Sequence, residues 1–83
     1  MVCKIIGINL IDGEKFKGAG LWLGYPVKRA NSFGYDVCEN MKYISKTSRN
    51  YETISEYQPS ELILKDVEIE FTPDGKIYNI SIT

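Results

Sequence analysis

The chain has 83 residues, 43% of them hydrophobic and 25% charged, with a net charge of −1, two cysteines and no histidine. That is the length of one domain with a small core, too apolar for disorder, and no apolar run approaches the ~20 residues a membrane span requires. Without histidine, a Cys/His zinc site and the Ser-His and Cys-His nucleophile pairs are excluded.

The opening stretch, "MVCKIIGINLIDG", carries one lysine and a short apolar run with no cleavage-site pattern. It reads as the start of a mature, cytoplasmic chain. Its apolar residues outnumber a simple alternation, which predicts a strand over about 2–11 that is buried on both faces or central in the sheet. Cys3 and Cys38 are then expected to be reduced and to pack as small apolar residues. Asp12-Gly13 signals a turn, and "EKFK" continues the connection or starts the return strand. "AGLWLGY" at 19–25 predicts a second strand, broken by Gly24 and ended by Pro26. Trp22 alternates with Leu21 and Leu23, and Trp22 is expected to face the core.

A third strand is predicted over "YDVCENMKYI" at 35–44, with Tyr35, Val37, Met41 and Tyr43 on one face. Between 45 and 60 the alternation lapses. Tyr51, Ile54 and Tyr57 would share one face of a short helix stopped by Pro59. "VEIEF" at 67–71 then puts Val67, Ile69 and Phe71 opposite Glu68 and Glu70, a half-buried strand. "TPDGK" supplies a tight turn, with Asp74-Gly75 expected at its positive-φ positions. "IYNISIT" completes the hairpin, with Tyr78, Ile80 and Ile82 on one side. Tyr43, Phe71 and Tyr78 are expected in the core or at a barrel seam.

These elements predict a mainly β fold: a small five-stranded oligonucleotide-binding-like or SH3-like barrel with one short helix or long loop near 45–60. Closure would remove the edges of so small a sheet. A split sheet with one packed helix is the alternative.

Little in the chain is suited to catalysis. Asp66, Glu68 and Glu70 alternate onto a polar strand face, as solvated residues do. "GINLIDG" and "GAGLWLG" lack the Gly-Lys-Ser/Thr ending of a phosphate loop. No enzyme activity, cofactor or metal is expected.

Charge is unevenly placed. Residues 1–51 hold eight basic and four acidic residues, a net of +4, and residues 52–83 hold two basic and seven acidic, a net of −5. This produces a two-sided electrostatic surface unless strands of the two halves intermix in the sheet. Ten aromatics, six of them tyrosines, are a heavy load for this length. Aromatic side chains beside a basic track are what holds single-stranded nucleic acid. Tyr25, Phe33, Tyr35, Tyr51 and Tyr57 are candidates for exposure, with Lys28, Arg29, Lys46 and Arg49 beside them in the two long connections.

The run "KIIGINLIDGEKFKGAGLWLGYP", then "GYDVCENMKYIS" and "VEIEFTPDGKIYNISI", resembles a group of short β proteins from bacteriophages and mobile elements of Gram-positive bacteria. In length and layout it is similar to the single-stranded-DNA-binding proteins of filamentous phages. The resemblance implies an oligonucleotide-binding-like barrel, often dimeric, coating single strands in a bacterial host cell. It assigns Lys15, Phe16 and Lys17 on the first connection, and Tyr25, Lys28 and Arg29 after the second strand, to the nucleic acid.

The expected function is therefore non-enzymatic binding of single-stranded nucleic acid, through Lys15, Phe16, Lys17, Tyr25, Lys28, Arg29, Phe33, Tyr35, Lys46, Arg49 and Tyr51. The alternative is a protein-interaction module or inhibitor docking on a host nucleic-acid enzyme. It would use Glu61, Asp66, Glu68, Glu70 and Asp74, whose spaced carboxylates can imitate a phosphate track. A subunit of a larger assembly, pairing through a strand edge, is the third reading, and a homodimer is compatible with each.

Overall fold

A computed structural model describes residues 1–38 and 40–83. Six antiparallel strands form one open sheet: β1 (Val2–Asp12), β2 (Lys17–Pro26), β3 (Tyr35–Val37), β4 (Lys42–Ser45), β5 (Asp66–Phe71) and β6 (Ile77–Ile82). Two short helices, α1 (Arg49–Ser55) and α2 (Pro59–Leu62), lie between β4 and β5. The strand order is β3-β2-β1-β5-β6, with β4 also paired to β2.

The central place expected of the first strand is observed, and a bulge explains its blurred alternation. Ile5 pairs with Leu23 and Gly7 with Trp22, so Ile6 is an extra residue on β1. An inserted residue shifts the side-chain parity of everything after it. Cys3 and Ile5 therefore face inward before the bulge, and Ile8, paired with Leu21, faces inward after it.

The predicted third strand is two strands. β3 takes Gly24 to Pro26 and β4 takes Gly18 to Leu21 on the same edge of β2. The fold thus has six strands where five were expected.

The core lies on one face of the sheet. Cys3, Ile5, Ala19, Leu21, Leu23, Ile44, Val67, Ile69 and Ile80 are buried there under Ile54 of α1 and Leu62 of α2. Each large aliphatic residue so buried contributes about 1.5–3 kcal/mol. The leucines flanking Trp22 take the inward positions, and Trp22 is half-buried on the opposite face. Of the three aromatics expected in the core or at a barrel seam, Tyr43 and Tyr78 are exposed, on β4 and β6, while Phe71 is half-buried against the core.

The Ser48 hydroxyl caps α1 by accepting from the Asn50 amide at 3.1 Å, and Asn50 and Ile54, four residues apart, share the buried side. Pro59 opens α2 instead of only ending α1, because its fixed φ and missing N–H suit a first helical position. In the final hairpin only Gly75 takes a positive φ, +85°. Asp74 uses its carboxylate to accept from the Thr72 hydroxyl instead.

β4 and β6 approach each other, and α1 packs against both. On the β6 side the Asn50 side chain of α1 donates to the Tyr78 carbonyl at 3.1 Å and accepts from the Ile80 amide at 3.3 Å. A helix side chain thus satisfies backbone groups that a further strand would otherwise pair.

Candidate nucleic-acid interface

The first connection folds back on itself, with the Gly13 amide donating to the Phe16 carbonyl at 2.9 Å. This leaves Phe16 63% exposed. Beside it stands Tyr43 of β4, its ring edge-on to Phe16 with centroids 6.1 Å apart and planes at 86°. Two hydrogen bonds fix the two segments together. The Tyr43 hydroxyl donates to the Lys17 carbonyl at 2.7 Å, and the Lys46 amide donates to the same oxygen at 2.8 Å.

Lys15, Lys17 and Lys46 are exposed around this aromatic pair, and together with Tyr43 they line a shallow depression that also includes Glu14. Among the described residues none of the three lysines makes an ion pair. Arg49, at the start of α1 and three residues beyond Lys46, is also exposed.

The remaining aromatic and basic candidates lie elsewhere. Lys17 and Pro26 begin and end β2, so their surroundings are about 30 Å apart by the rise of an extended strand. At the Pro26 end, Arg29 is paired with Asp36 at 3.4 Å, while Lys28 is exposed. Phe33 is 93% exposed. Tyr35 is exposed, with the Lys4 ammonium 5.6 Å from its ring centroid. Tyr25 points to the inner face, where burial raises its phenol pKa above the usual value. Tyr51 and Tyr57 are half-buried beside Ile8 and Leu62, in a groove between β1 and the helices. The structure therefore brings Lys15, Phe16, Lys17 and Lys46 together, with Arg49 close in sequence. It sets Tyr25, Lys28, Arg29, Phe33 and Tyr35 at the opposite end of β2.

Between the two ends runs the outer face of β2. Gly18, Gly20, Trp22 and Gly24 alternate onto it, and neighbours fill the spaces the glycines leave. A Cβ at Gly20 would overlap the Met41 sulfur, and one at Gly24 would lie 2.7 Å from Ile6 Cδ1. The Trp22 indole covers Gly7, where a Cβ would be 3.5 Å from Cε3. The result is a low apolar surface of Met41, Trp22 and Ile6, with Tyr43 at one side and Tyr35 at the other. The sequence predicts a core position for Trp22 and a core or barrel-seam position for Tyr43. The glycine alternation around Trp22 was the available signal that neighbouring side chains cross this face.

Four of the five carboxylates proposed as an acidic docking face are engaged. Asp66 pairs with Lys4 at 2.9 Å, a contact that raises the Lys4 pKa, and Glu68 pairs with the Met1 amino group at 2.7 Å. Glu61 accepts from the Gln58 amide at 3.0 Å as part of the α2 capping box. Asp74 is held by Thr72, which lowers its pKa, and lies 3.8 Å from Lys76. Glu70 is exposed.

The two halves of the chain do not intermix in the sheet. β3, β4, β2 and β1 are contiguous, and β5 and β6 follow beyond β1. The Lys4–Asp66 pair sits on that boundary. Within the sheet the strands of the more basic first half therefore lie together, although Lys42 of β4 reaches the Phe71 ring of β5. Among the described residues no three His, Cys, Asp or Glu side chains gather as metal ligands do, and no helix is long and apolar enough to cross a membrane. No protein-family model matches the chain, and neither a curated protein nor a solved structure matches it.

Proposed function

We propose that this protein is a non-enzymatic accessory protein that binds single-stranded nucleic acid at the β1–β2 end of its sheet, in the cytoplasm of a bacterial host. The observation that carries the reading is the exposed Phe16–Tyr43 pair set among Lys15, Lys17 and Lys46. A base stacked on such an aromatic is worth about 1–3 kcal/mol, and lysines at the rim release counterions from the phosphates they meet. Aromatic rings reach base faces only where the bases are unstacked from a duplex, so single strands are the favoured ligand.

The segregation of basic and acidic strands supports the same reading, because it keeps the carboxylates of β5 away from this end. So does the resemblance to single-stranded-DNA-binding proteins of phages. The finer architecture belongs to this proposal: the sheet, with α1 packed against β4 and β6 and its Asn50 bonded to β6, is an oligonucleotide-binding-like barrel that a helix completes.

The test is fluorescence anisotropy of a labelled oligothymidylate and of a duplex of equal length at low salt. Micromolar or tighter binding of the single strand, with weaker binding of the duplex, is expected. Equal affinity for both, or none for either, contradicts the proposal.

A further inference from the structure

We infer that the bound strand does not stop at Phe16 and Tyr43 but continues along the outer face of β2, with bases laid on the Met41–Trp22–Ile6 surface toward Tyr35. This rests on the binding proposed above and adds its path.

Four observations carry it. Tyr43 pairs in register with Gly20, and Tyr35 pairs with Pro26 and lies against Gly24, so two exposed aromatic rings flank one face of one strand. Between them, the glycines of β2 leave no projecting side chain except Trp22, whose indole covers Gly7. Met41 and Ile6 fill the spaces at Gly20 and Gly24, so among the described residues apolar side chains cover this face at those levels. Finally, the charges around this track suit a polyanion at both ends. Lys15, Lys17 and Lys46 stand at one end and Lys28 at the other, while Lys4, over the Tyr35 ring, is already paired with Asp66. The outward carboxylates Glu68 and Glu70 are on β5, one strand beyond β1. A purely apolar partner would gain nothing from the lysines. A duplex would present sugar and phosphate to a surface that offers apolar contact. A single strand with its bases down meets both features.

The length of the face, about 20 Å from the Tyr43 level to the Tyr35 level, demands a strand of several nucleotides. This falls within the range of about 4–16 that single-strand-binding β domains cover. The experiment follows the emission of Trp22, the chain's one tryptophan, during titration with oligothymidylates of about 4 and about 12 nucleotides. Protection of Trp22 from acrylamide is measured in parallel. The long strand is expected to quench Trp22, to shield it from acrylamide and to bind about tenfold or more tightly than the short one. Trp22→Phe should bind the long strand less tightly and the short strand unchanged.

If the long strand binds at Phe16 and Tyr43 but leaves Trp22 emission and shielding unaltered, the extended path is wrong while the proposed binding stands. If neither strand binds, both are wrong. If Trp22 becomes shielded on raising the protein concentration alone, the face belongs to a second copy of the chain and the path is again overturned.

Discussion

Met41 occupies the space that Gly20 leaves on the outer face of β2: a Cβ at Gly20 would overlap its sulfur. The contact adds to the β2–β4 ladder and brings the Met41 side chain over β2 beside Trp22. Gly20→Ala should destabilise the fold by about 1–3 kcal/mol, the usual cost of overpacking. Because the obstructing group is a flexible side chain, Met41→Ala in the same chain should relieve much of that loss. Urea denaturation of the two single variants and the double variant checks this. Strictly additive effects would mean that the two residues do not share the space.

Asn50 replaces a strand. Its amide serves the Tyr78 carbonyl and the Ile80 amide together, and it is only 6% exposed. Asn50→Ala should cost about 2–3 kcal/mol, since two hydrogen bonds go and a buried backbone donor is left unpaired. Asn50→Asp should cost at least as much, because a carboxylate oxygen would then face the Tyr78 carbonyl. Both variants should lower the denaturation midpoint without changing its steepness. A midpoint within experimental error of the parent for Asn50→Ala would show that Asn50 does not hold α1 to β6.

Burial pushes the Cys3 thiol above its ordinary value of 9.0 and the Tyr25 phenol above 10.0. In each case the unfolded chain ionises first. It then holds fewer protons than the folded chain, so stability falls as pH rises past those ordinary values and is unaffected below them. Thermal unfolding should therefore show a decline that begins near pH 9 with Cys3 and continues above pH 10 with Tyr25. Cys3→Ala should remove the first part and keep the second. An unchanged decline between pH 9 and 10 in that variant would contradict the assignment to Cys3.

Much of the fold is legible in the sequence where one principle acts alone. The final hairpin follows from the alternation in "VEIEF" and from Asp74-Gly75. The structure corrects which residue takes the positive φ, and a register shift at Phe71 leaves Tyr78 exposed and puts Ile77 with Ile80 and Ile82 on the core. Where two signals conflict, tertiary context decides. Trp22 is the expected core residue, but Leu21 and Leu23 both bury completely on the other parity, and a strand has only two faces. Residues 35–44 alternate as one strand, yet β2 is long enough to pair with two separate pieces of them. Composition placed basic and aromatic residues in two loops and could not place those loops relative to each other. Pairing of β4 with the first half of β2 is what carries Lys46 and Tyr43 to Phe16.

The two ends of β2 should contribute unequally. Arg29 already holds Asp36, whereas Lys15, Lys17 and Lys46 have no ionic partner among the described residues. Lys28→Ala with Arg29→Ala should therefore reduce oligonucleotide affinity by less than about fivefold, the equivalent of roughly 1 kcal/mol. Anisotropy titration measures this. A larger loss from that pair than from the three lysines at Phe16 would move the principal contact to the Pro26 end.

The most direct test of strand binding is the salt dependence of oligothymidylate affinity, for the parent chain and for Lys15→Ala, Lys17→Ala and Lys46→Ala combined. Each lysine that meets a phosphate of a single strand adds about 0.7 to the steepness of log affinity against log salt. The triple variant should bind more weakly and lose about 2 from that slope. A parent chain whose affinity ignores salt, or a triple variant with the parent's slope, would contradict the account.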